Sequence, residues 1–302
     1  MNIIKRLVDL KDAIFDIRRE LYDARNSKVI TGKLLATLNE NKLAVKNLQE
    51  VEFKVFSQWG DDGIIQYMIS KLNLPNNTFV EFGVEYYTES NTRLLLINNN
   101  WSGLVIDGSD KHISYIKNDA IYWQYELLAI KAFITAENIE SLIDKAEFKK
   151  EIGILSIDID GNDYMVWKAI KKYDPSIVIV EYNAAFGDEN PWIVPYDPSF
   201  IREQKDFKKL FWGTSLLSIC DLATEKGYDF VGCNLNGNNA YFIKKSINNN
   251  FFKPLTCKEG FIDAKYREVY HNDNPINGKN KLSYLKGMSV YNTRKNSIEA
   301  IL

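Results

Sequence analysis

The chain alternates between two kinds of apolar pattern over most of its length. Short runs rich in Val, Ile and Phe, typical of buried strands, are followed by segments in which apolar residues recur every three or four positions, as on one face of a helix. The predicted strands are 78–84, 103–107, one within 125–135, 152–160 and 176–183. The predicted helices are 64–72, 89–99, 111–117, 138–148, 163–172 and 215–226.

These alternations are followed by a predicted hairpin of strands 229–233 and 239–243 around a turn rich in Asn and Gly. The order predicts an α/β fold, a doubly wound Rossmann-like sheet whose last strand returns antiparallel. We expect Asp163 to cap the helix that it begins, and Gly227 to end the helix before the hairpin.

The two ends of the chain differ from this central region. In residues 1–50, apolar residues at helical spacing predict two amphipathic helices, separated near Gly32, that would pack on the main domain or on a second subunit. We therefore divide the chain into an N-terminal helical extension (1–50), an α/β domain (51–249) and a C-terminal extension (250–302). The last of these would provide surface cover, a dimer contact or substrate recognition.

Composition narrows the function classes. The net charge of −2 gives no global positive field for nucleic acid. The three cysteines, Cys220, Cys233 and Cys257, lack metal-like spacing and are odd in number, which favours a reducing compartment. The first residues are charged throughout, unlike a signal peptide, and no apolar run reaches the ~18 residues of a membrane span. We expect a cytoplasmic protein without a membrane span.

The end of the first predicted strand is the most informative part of the sequence. It reads EFGVE over residues 81–85, and the second strand ends at Asp107. In a doubly wound sheet these two strand ends lie side by side at the ligand crevice. Gly83 would let a ligand approach the backbone closely, and Asp107 could accept hydrogen bonds from a ribose diol. The sequence therefore predicts a cofactor that contains a nucleoside.

The charge around this turn discriminates between two such cofactors. A dinucleotide site has the spacing G-x-G-x-x-G, which places backbone amides and a helix N-terminus on a pyrophosphate. Here a single glycine is flanked by Glu81, Glu85 and Glu89, whose carboxylates would repel a pyrophosphate and suit a cationic amine or sulfonium. The pattern favours S-adenosylmethionine over NAD, and an ordinary crossover without a ligand is the alternative.

A second acidic motif lies at the fourth predicted strand, SIDIDGND over residues 156–163. Alternation along a strand puts Asp158 and Asp160 on one face, and burying two neighbouring carboxylates is costly unless a cation or a donor compensates. The fifth strand ends with Glu181 and Asn183, again on one face. Because parallel strands end at the same edge of a sheet, we expect these side chains to surround one crevice.

The acidic crevice allows two chemistries. Oxygen ligands suit Mg²⁺ or Mn²⁺, with Asp160 and Glu181 as candidate ligands, and a metal would lower the pKa of a bound hydroxyl. The metal-free alternative uses one carboxylate as a general base. The candidate catalytic residues are Asp158, Asp160 and Glu181, although a salt bridge would also explain Glu181.

Other polar and aromatic positions are weaker candidates. Ser57 and Gln58 precede the first strand, where their hydroxyl, amide and backbone donors could hold a carboxylate, and the same segment could simply cap a helix. Asn239 in the hairpin could contact a substrate, although asparagines near a turn usually serve the turn itself. Tyr87 could stack against a base or a sugar ring, although such aromatics are more often part of the core.

The chain carries five short motifs: SQWGD at 57–61, EFGVE at 81–85, DG at 107–108, LSIDIDGNDY at 155–164 and VEYN at 180–183. Together they resemble FkbM-type and related class I S-adenosylmethionine-dependent methyltransferases, many of which are encoded in bacterial capsule, lipopolysaccharide or O-antigen gene clusters. The resemblance spans about residues 52–245. A single glycine stands where E/D-x-G-x-G is common in class I enzymes.

The resemblance implies an O-methyltransferase that acts on a small molecule, a sugar or sugar nucleotide, in surface-polysaccharide biosynthesis. By motif position, Glu81, Gly83 and Glu85 would line the methionine part of the cofactor, and Asp107 with Gly108 would lie at the ribose. Asp158 or Asp160 would face the sulfonium and the acceptor. The resemblance also implies that residues after the third strand, Thr135 and Ala136, lie near the adenine.

Two other classes of function stay open, and so does the assembly state. One alternative is an NAD- or metal-dependent enzyme of polysaccharide assembly, and the other is a non-catalytic binding protein that has kept the fold. The N-terminal helices could also join two copies of the chain into a homo-oligomer.

Overall fold

A mixed sheet lies at the centre of the protein, which the computed structural model describes over residues 2–205, 209–264, 270–271, 274–275 and 281–302. The strands are β1 (Thr78–Phe82), β2 (Ser102–Asp107), β3 (Leu127–Lys131), β4 (Glu151–Ile157), β5 (Asp174–Glu181), β6 (Trp192–Ile193), β7 (Tyr228–Cys233), β8 (Asn239–Lys244), β9 (Tyr270–His271), β10 (Asn274–Pro275), β11 (Ser289–Asn292) and β12 (Ser297–Ala300).

The central sheet has the strand order β3-β2-β1-β4-β5-β8-β7 among the described residues. Strands β1 to β5 are parallel, and β8 runs antiparallel to both β5 and β7. The order along the chain reverses between β1 and β4, and ligands bind at such switch points in doubly wound sheets. The predicted α/β fold is confirmed: a doubly wound Rossmann-like sheet in which β8 returns antiparallel.

Helices flank both faces of this sheet. They are α1 (Asn2–Glu40), α2 (Asp61–Lys71), α3 (Arg93–Asn99), α4 (Asp110–Asn118), α5 (Ile121–Gln124), α6 (Ile139–Asp144), α7 (Asp163–Ala169), α8 (Arg202–Lys205), α9 (Leu216–Lys226), α10 (Lys245–Asn248) and α11 (Cys257–Gly260), with 3₁₀ turns at Leu48–Val51, Ala184–Phe186 and Leu282–Leu285.

Alternate residues of each central strand supply two separate cores. On one face, Val80, Leu155 and Val178 pack with the apolar side chains of α6, α7 and α9. On the other face, Phe79 and Ile154 belong to a second cluster, which includes apolar side chains of α2, α3 and α4. The strands therefore read as nearly continuous apolar runs, as expected of a sheet that is covered on both faces.

Three predicted strands extend too far. The strands predicted at 78–84, 152–160 and 176–183 end at Phe82, Ile157 and Glu181. Gly83 has φ +69° and Asp160 has φ +58°, outside the β region, so the backbone turns there. Asp158 consequently lies just beyond β4 and not inside the strand.

The start of α7 also differs from the prediction. Asn162 occupies the N-cap position, and Asp163 is the first helical residue. The buried carboxylate of Asp163 accepts hydrogen bonds from the backbone amides of Ile159 (2.9 Å) and Gly161 (3.0 Å). It therefore fixes the turn that follows β4. The prediction for the end of α9 is confirmed, since Gly227 has φ +85° at the C-cap.

The N-terminal extension is helical as predicted, but it forms one helix of 39 residues, α1, and not two. Gly32 does not interrupt the helix. A Cβ atom there would lie 2.4 Å from Cγ2 of Val55, so the glycine allows α1 to approach the main domain closely. Among the described residues, no helix has the length and apolarity needed to cross a membrane.

The segment that follows β5 packs with the end of the chain. The apolar pattern predicts no strand or helix over 184–209, of which 206–208 lie outside the described residues. Within it, β6 pairs with β11, which also pairs with β12. Phe200 and Trp212 share an apolar cluster with Val290 and Ile301. We call this unit, residues 184–205, 209–214 and 281–302, the roof.

Candidate functional site

A pocket of about 420 Å³ opens at the carboxyl edge of the central sheet. Its volume is within the range of small-molecule sites, about 300–1,000 Å³. The structure brings together here many of the residues predicted from the sequence: Gln58, Glu81, Gly83, Glu85, Asp107, Gly108, Asp158, Asp160, Glu181 and Asn239. The loop after β3 contributes Ala132, Phe133 and Ile134.

Gly83 stands where the backbones of two strand ends meet. A Cβ atom on this residue would lie 1.7 Å from the carbonyl oxygen of Asp158. The amide of Gly83 donates to the carbonyl of Ile106 at 3.0 Å. The residue must therefore be glycine because of the protein's own packing, in addition to any approach by a ligand.

Glu81 is an anchored carboxyl group at the bottom of the pocket. It accepts hydrogen bonds from the amides of Asn91 (2.8 Å) and Thr92 (3.0 Å) and from the Thr92 hydroxyl (2.5 Å). Burial raises the pKa of Glu81 to about 7, although these donors oppose the shift. The carboxyl group thus positions the residues that lead into α3.

Asp107 lies at the end of β2 with both carboxylate oxygens in hydrogen bonds. Oδ2 accepts from the amide of Glu85 at 2.8 Å, and Oδ1 accepts from the amide of Ser109 at 2.8 Å. The ring nitrogen Nδ1 of His112 lies 2.9 Å from Oδ1. No sequence motif marks His112, which lies in α4. These contacts fix the carboxylate at the pocket wall, where Oδ2 accepts a single hydrogen bond and retains a lone pair.

Asp158, Asp160 and Glu181 form a compact acidic cluster at the ends of β4 and β5. One carboxylate oxygen from each lies within 4.8 Å of the others. Burial and the charges of its acidic neighbours raise the pKa of Asp158 well above its usual range, and the same causes raise the pKa of Glu181. Oε2 of Glu181 is buried and has no hydrogen-bond partner among the described residues.

Arg202 is a pocket residue that the sequence analysis missed. Its Nη1 atom donates to Oδ1 of Asp160 at 2.6 Å, and its guanidinium lies 4.6 Å from the centre of the Trp212 ring. It is the only basic side chain among the described residues that line the pocket. No motif signals this arginine, because the roof brings it to the pocket through contacts far apart in the sequence.

Ser57 is buried and serves the loop that precedes β1. Its hydroxyl donates to Oδ2 of Asp62 at 2.8 Å, and the amides of Val55, Phe56 and Ser57 donate to the same oxygen at 2.7 Å each. The donors that we expected to hold a ligand's carboxylate therefore hold Asp62. Among the pocket-lining residues of the described chain, this motif is represented by Gln58 and not by Ser57.

Two residues predicted to contact substrate are occupied by internal hydrogen bonds. The Asn183 side chain donates to the carbonyls of Leu210 (2.8 Å) and Trp212 (3.0 Å), which ties the end of β5 to the roof. Tyr87 is fully buried, with its hydroxyl 3.0 Å from Oγ1 of Thr92. Neither side chain is among the pocket-lining residues of the described chain.

Thr135 and Ala136 follow directly after the lining residues 132–134. The amide of Thr135 bonds to Oδ1 of Asn138 at 2.9 Å, and the amide of Ala136 bonds to the Tyr196 hydroxyl at 3.1 Å. Within the described chain, the wall after β3 is therefore formed by residues 132–134, one to four positions before Thr135 and Ala136.

Asn239 lies at the pocket wall, paired with Glu181 across β5 and β8. Its side-chain amide donates to Oδ1 of Asp61 at 3.0 Å, as does that of Asn234 at 3.0 Å, and the Tyr241 hydroxyl donates to the same oxygen. Asp61 is fully buried, and burial raises the pKa of its carboxyl group. This network joins the start of α2 to the β7–β8 hairpin.

Comparison with known proteins gives likenesses of fold. No family model matches the sequence, and no curated protein matches it. A putative caffeoyl-CoA O-methyltransferase from Staphylococcus aureus is 16% identical, with a TM-score of 0.42, over 76% of this chain and 98% of that chain. The O-methyltransferase from Bacillus cereus, solved with SAH, is 14% identical, with a TM-score of 0.40, over 72% of this chain and 91% of that chain.

The plantazolicin methyltransferase BamL, solved with a desmethylPZN analogue and SAH, is 15% identical, with a TM-score of 0.31, over 51% of this chain. The chain spans 57% of the length of that protein. These similarities concern the fold alone.

Proposed function

We propose that this protein is an S-adenosylmethionine-dependent O-methyltransferase. The observation that carries the proposal is one pocket that joins Asp107, at the end of β2, to the acidic cluster at the ends of β4 and β5. The first feature suits a ribose, and the second suits the activation of a hydroxyl group.

The residues of the pocket fit this cofactor. A Cβ atom built on Gly108 would meet only Phe133 within 4 Å, at 3.7 Å, so the wall beside Asp107 leaves room for a ligand. Glu81 and Glu85 line the wall near Gly83, which favours a cationic group over a phosphate. When bound, S-adenosylmethionine supplies a methyl group on a positively charged sulfur. Asp107 would bind the ribose hydroxyls, and Phe133 would cover the base.

The chain's own task in the reaction is to orient the acceptor hydroxyl and to receive its proton. Asp158 and Glu181 lie together, and burial with the charges of their acidic neighbours raises the pKa of each carboxyl group. A raised pKa makes a carboxylate a stronger base toward the proton of the acceptor hydroxyl. Asp160 and Asn239 lie beside this pair and would orient the acceptor.

A divalent metal is the second way in which the cluster could act. Oxygen ligands such as those of Asp158, Asp160 and Glu181 suit Mg²⁺ or Mn²⁺, and the unpartnered Oε2 of Glu181 would gain a partner. Bound there, the metal would lower the pKa of an acceptor hydroxyl. The rest of the proposed mechanism is the same with or without the metal.

We further propose a sugar or sugar-nucleotide hydroxyl as the acceptor, in bacterial capsule or other surface-polysaccharide biosynthesis in the cytoplasm. The support is the motif resemblance in the sequence together with the polar, open character of the pocket. In this proposal the α/β domain, residues 51–249, binds the cofactor, and the C-terminal extension, residues 250–302, helps to form the acceptor side through the roof.

The test of cofactor binding is a calorimetric titration with S-adenosylhomocysteine, with and without Mg²⁺ or Mn²⁺. We expect micromolar binding to the wild-type protein. The Asp107→Ala variant should bind about 10- to 100-fold more weakly, the loss expected for hydrogen bonds to a charged group. Asp110→Ala is the matched control, because Asp110 is 83% exposed and pairs with Lys131 at 3.2 Å. Absence of binding under every condition would refute the proposal.

The catalytic assignment is tested by formation of S-adenosylhomocysteine with a panel of sugars and sugar nucleotides. With any acceptor that is turned over, Asp160→Ala and Glu181→Ala should abolish turnover, because each removes a carboxylate of the cluster. Wild-type rates in either variant would show that the acidic cluster is not the reaction centre.

A further inference from the structure

Arg202 and a cation bound in the acidic cluster would compete for the carboxylate of Asp160. The guanidinium of Arg202 donates to Oδ1 of Asp160 at 2.6 Å. Oxygens of Asp158, Asp160 and Glu181 also lie close enough together, within 4.8 Å, to share one cation. Asp160 therefore belongs to two arrangements, an ion pair with the roof and a ligand set at the end of β4.

A second observation indicates that this ligand set is incomplete without a cation. Glu181 is only 7% exposed, and its Oε2 atom is buried without a hydrogen-bond partner among the described residues. A buried carboxylate oxygen without a donor is costly. Arg202 reaches Asp160, whose side chain is 54% exposed, at the outer edge of the cluster.

Arg202 is held for this contact by the roof. Its Nε atom donates to the carbonyl of Lys209 at 3.0 Å, and the guanidinium lies over the ring of Trp212. Its side chain is only 12% exposed. A divalent cation in the cluster would lie next to this fixed positive charge, and two such charges a few ångströms apart repel strongly in a partly buried site.

We propose that Arg202 and a divalent cation bind Asp160 alternately, so that metal binding releases Arg202 from the end of β4. Arg202 is the resident counter-ion of the cluster in the metal-free protein, and its departure opens the pocket where β4 and β5 end. This inference rests on the metal-assisted form of the proposed function.

The test is a titration of the purified full-length chain with Mn²⁺ alone, with free Mn²⁺ measured by electron paramagnetic resonance. Arg202→Gln should bind Mn²⁺ at least tenfold more tightly than the wild-type protein, because the competing charge is gone. Lys205→Gln is the matched control. It removes a positive charge from the same short helix, but its side chain pairs with Asp197, so its Mn²⁺ affinity should equal that of the wild type. Asp160→Asn should lose Mn²⁺ binding.

Two results would overturn the inference: equal Mn²⁺ affinity in the wild type and in Arg202→Gln, or no Mn²⁺ binding by either protein. A titration of the same samples with S-adenosylhomocysteine separates this failure from failure of the proposed function. Binding of S-adenosylhomocysteine without any Mn²⁺ binding would leave the metal-free methyltransferase proposal standing and refute the exchange at Asp160.

Discussion

At the scale of single residues, Gly83 is the position where the pocket tolerates least change. Two costs combine there, a positive φ and the 1.7 Å approach of a built Cβ atom to the Asp158 carbonyl oxygen. Gly83→Ala should therefore destabilise the fold by about 3 kcal/mol or more, since strain and overpacking each cost about 1–3 kcal/mol. Urea unfolding measures this loss.

Gly187→Ala provides a matched control for this prediction. Gly187 has φ +74°, close to the value at Gly83, but a Cβ atom there would meet nothing within 4 Å. Gly187→Ala should lower the free energy of unfolding by about 1 kcal/mol, the cost of the backbone conformation alone. Equal losses in the two variants would show that the contact with Asp158 contributes nothing.

Buried carboxyl groups should make stability depend on pH. Burial raises the pKa of Glu81 and of Asp163 to about 7, and that of Asp62 to about 6. Because the folded state keeps protons that the unfolded chain has already released, unfolding releases protons between about pH 5 and pH 8. Stability from these groups is fully present below the unfolded pKa, near 4, and is lost as the pH rises through 6 to 7.

The melting temperature should accordingly be higher at pH 5.5 than at pH 8. Glu81→Gln keeps the shape of the side chain and removes its titration. The difference in unfolding free energy between pH 5.5 and pH 8 should be about 2 kcal/mol smaller in this variant than in the wild type. A melting temperature that rises from pH 5.5 to pH 8, or a slope unchanged by Glu81→Gln, would contradict the argument.

At the scale of elements, the β7–β8 hairpin depends on Asp61 at the start of α2. Asp61→Ala would leave the buried donors of Asn234, Asn239 and Tyr241 without their acceptor. We expect a loss of about 3 kcal/mol, because unsatisfied buried donors cost about 1–3 kcal/mol each and local rearrangement recovers part of this. Tyr241→Phe removes one donor and keeps the acceptor, and should cost about 1 kcal/mol. An Asp61→Ala variant as stable as the wild type in urea would refute this role.

The elements themselves were largely predictable, because their signal is local. The periodicity of apolar residues predicted the positions of β1 to β5, α9 and the hairpin. Gly227 predicted the end of α9, and the structure confirms it. The early ends of β1 and β4 were not predictable in the same way. Asp160 adopts a positive φ that an aspartate visits only in a specific environment, here beside the amides held by Asp163.

The site was predictable where it depends on strand ends and hidden where it depends on distant contacts. Asp107, Asp158 and Glu181 follow from the rule that parallel strands end at one edge. Ser57 was expected to help hold a ligand's carboxylate, but its hydroxyl donates to the carboxylate of Asp62, five positions further along the chain. Arg202 had no sequence signal, since its position depends on the packing of the roof.

At the scale of the whole molecule, the exposed apolar side chains of α1 are the feature that indicates assembly with another chain. Residues 9–24 are exposed all around the helix, and Leu10, Ile14, Ile17 and Leu21 are each 44–65% exposed. Their spacing of four, three and four residues is that of a coiled-coil seam. Because a helix in a protein draws most of its stability from the packing of its apolar face, we propose that a second copy of the chain covers this stripe.

Sedimentation velocity tests this proposal. The wild-type protein should sediment as a species larger than the 34.9 kDa of one chain. A variant with serine at Leu10, Ile14, Ile17 and Leu21 should be a monomer. Leu43→Ser, at a position 90% exposed outside α1, is the control that should not change the mass. A wild-type protein that sediments with the mass of a single chain would rule out this assembly.

The roof has a consequence for exchanging specificity between related proteins. The side of the pocket near β1 and β2 is formed by residues close in sequence, whereas the roof joins segments about a hundred residues apart, as in the 2.6 Å bond from Nε1 of Trp192 to Glu299. A chimera that receives residues 184–214 from another protein but keeps strands β11 and β12 would lose such pairs. Transfer of acceptor preference would therefore require both segments to be exchanged together. The side of the pocket near β1 and β2, proposed to bind the cofactor, could stay unchanged.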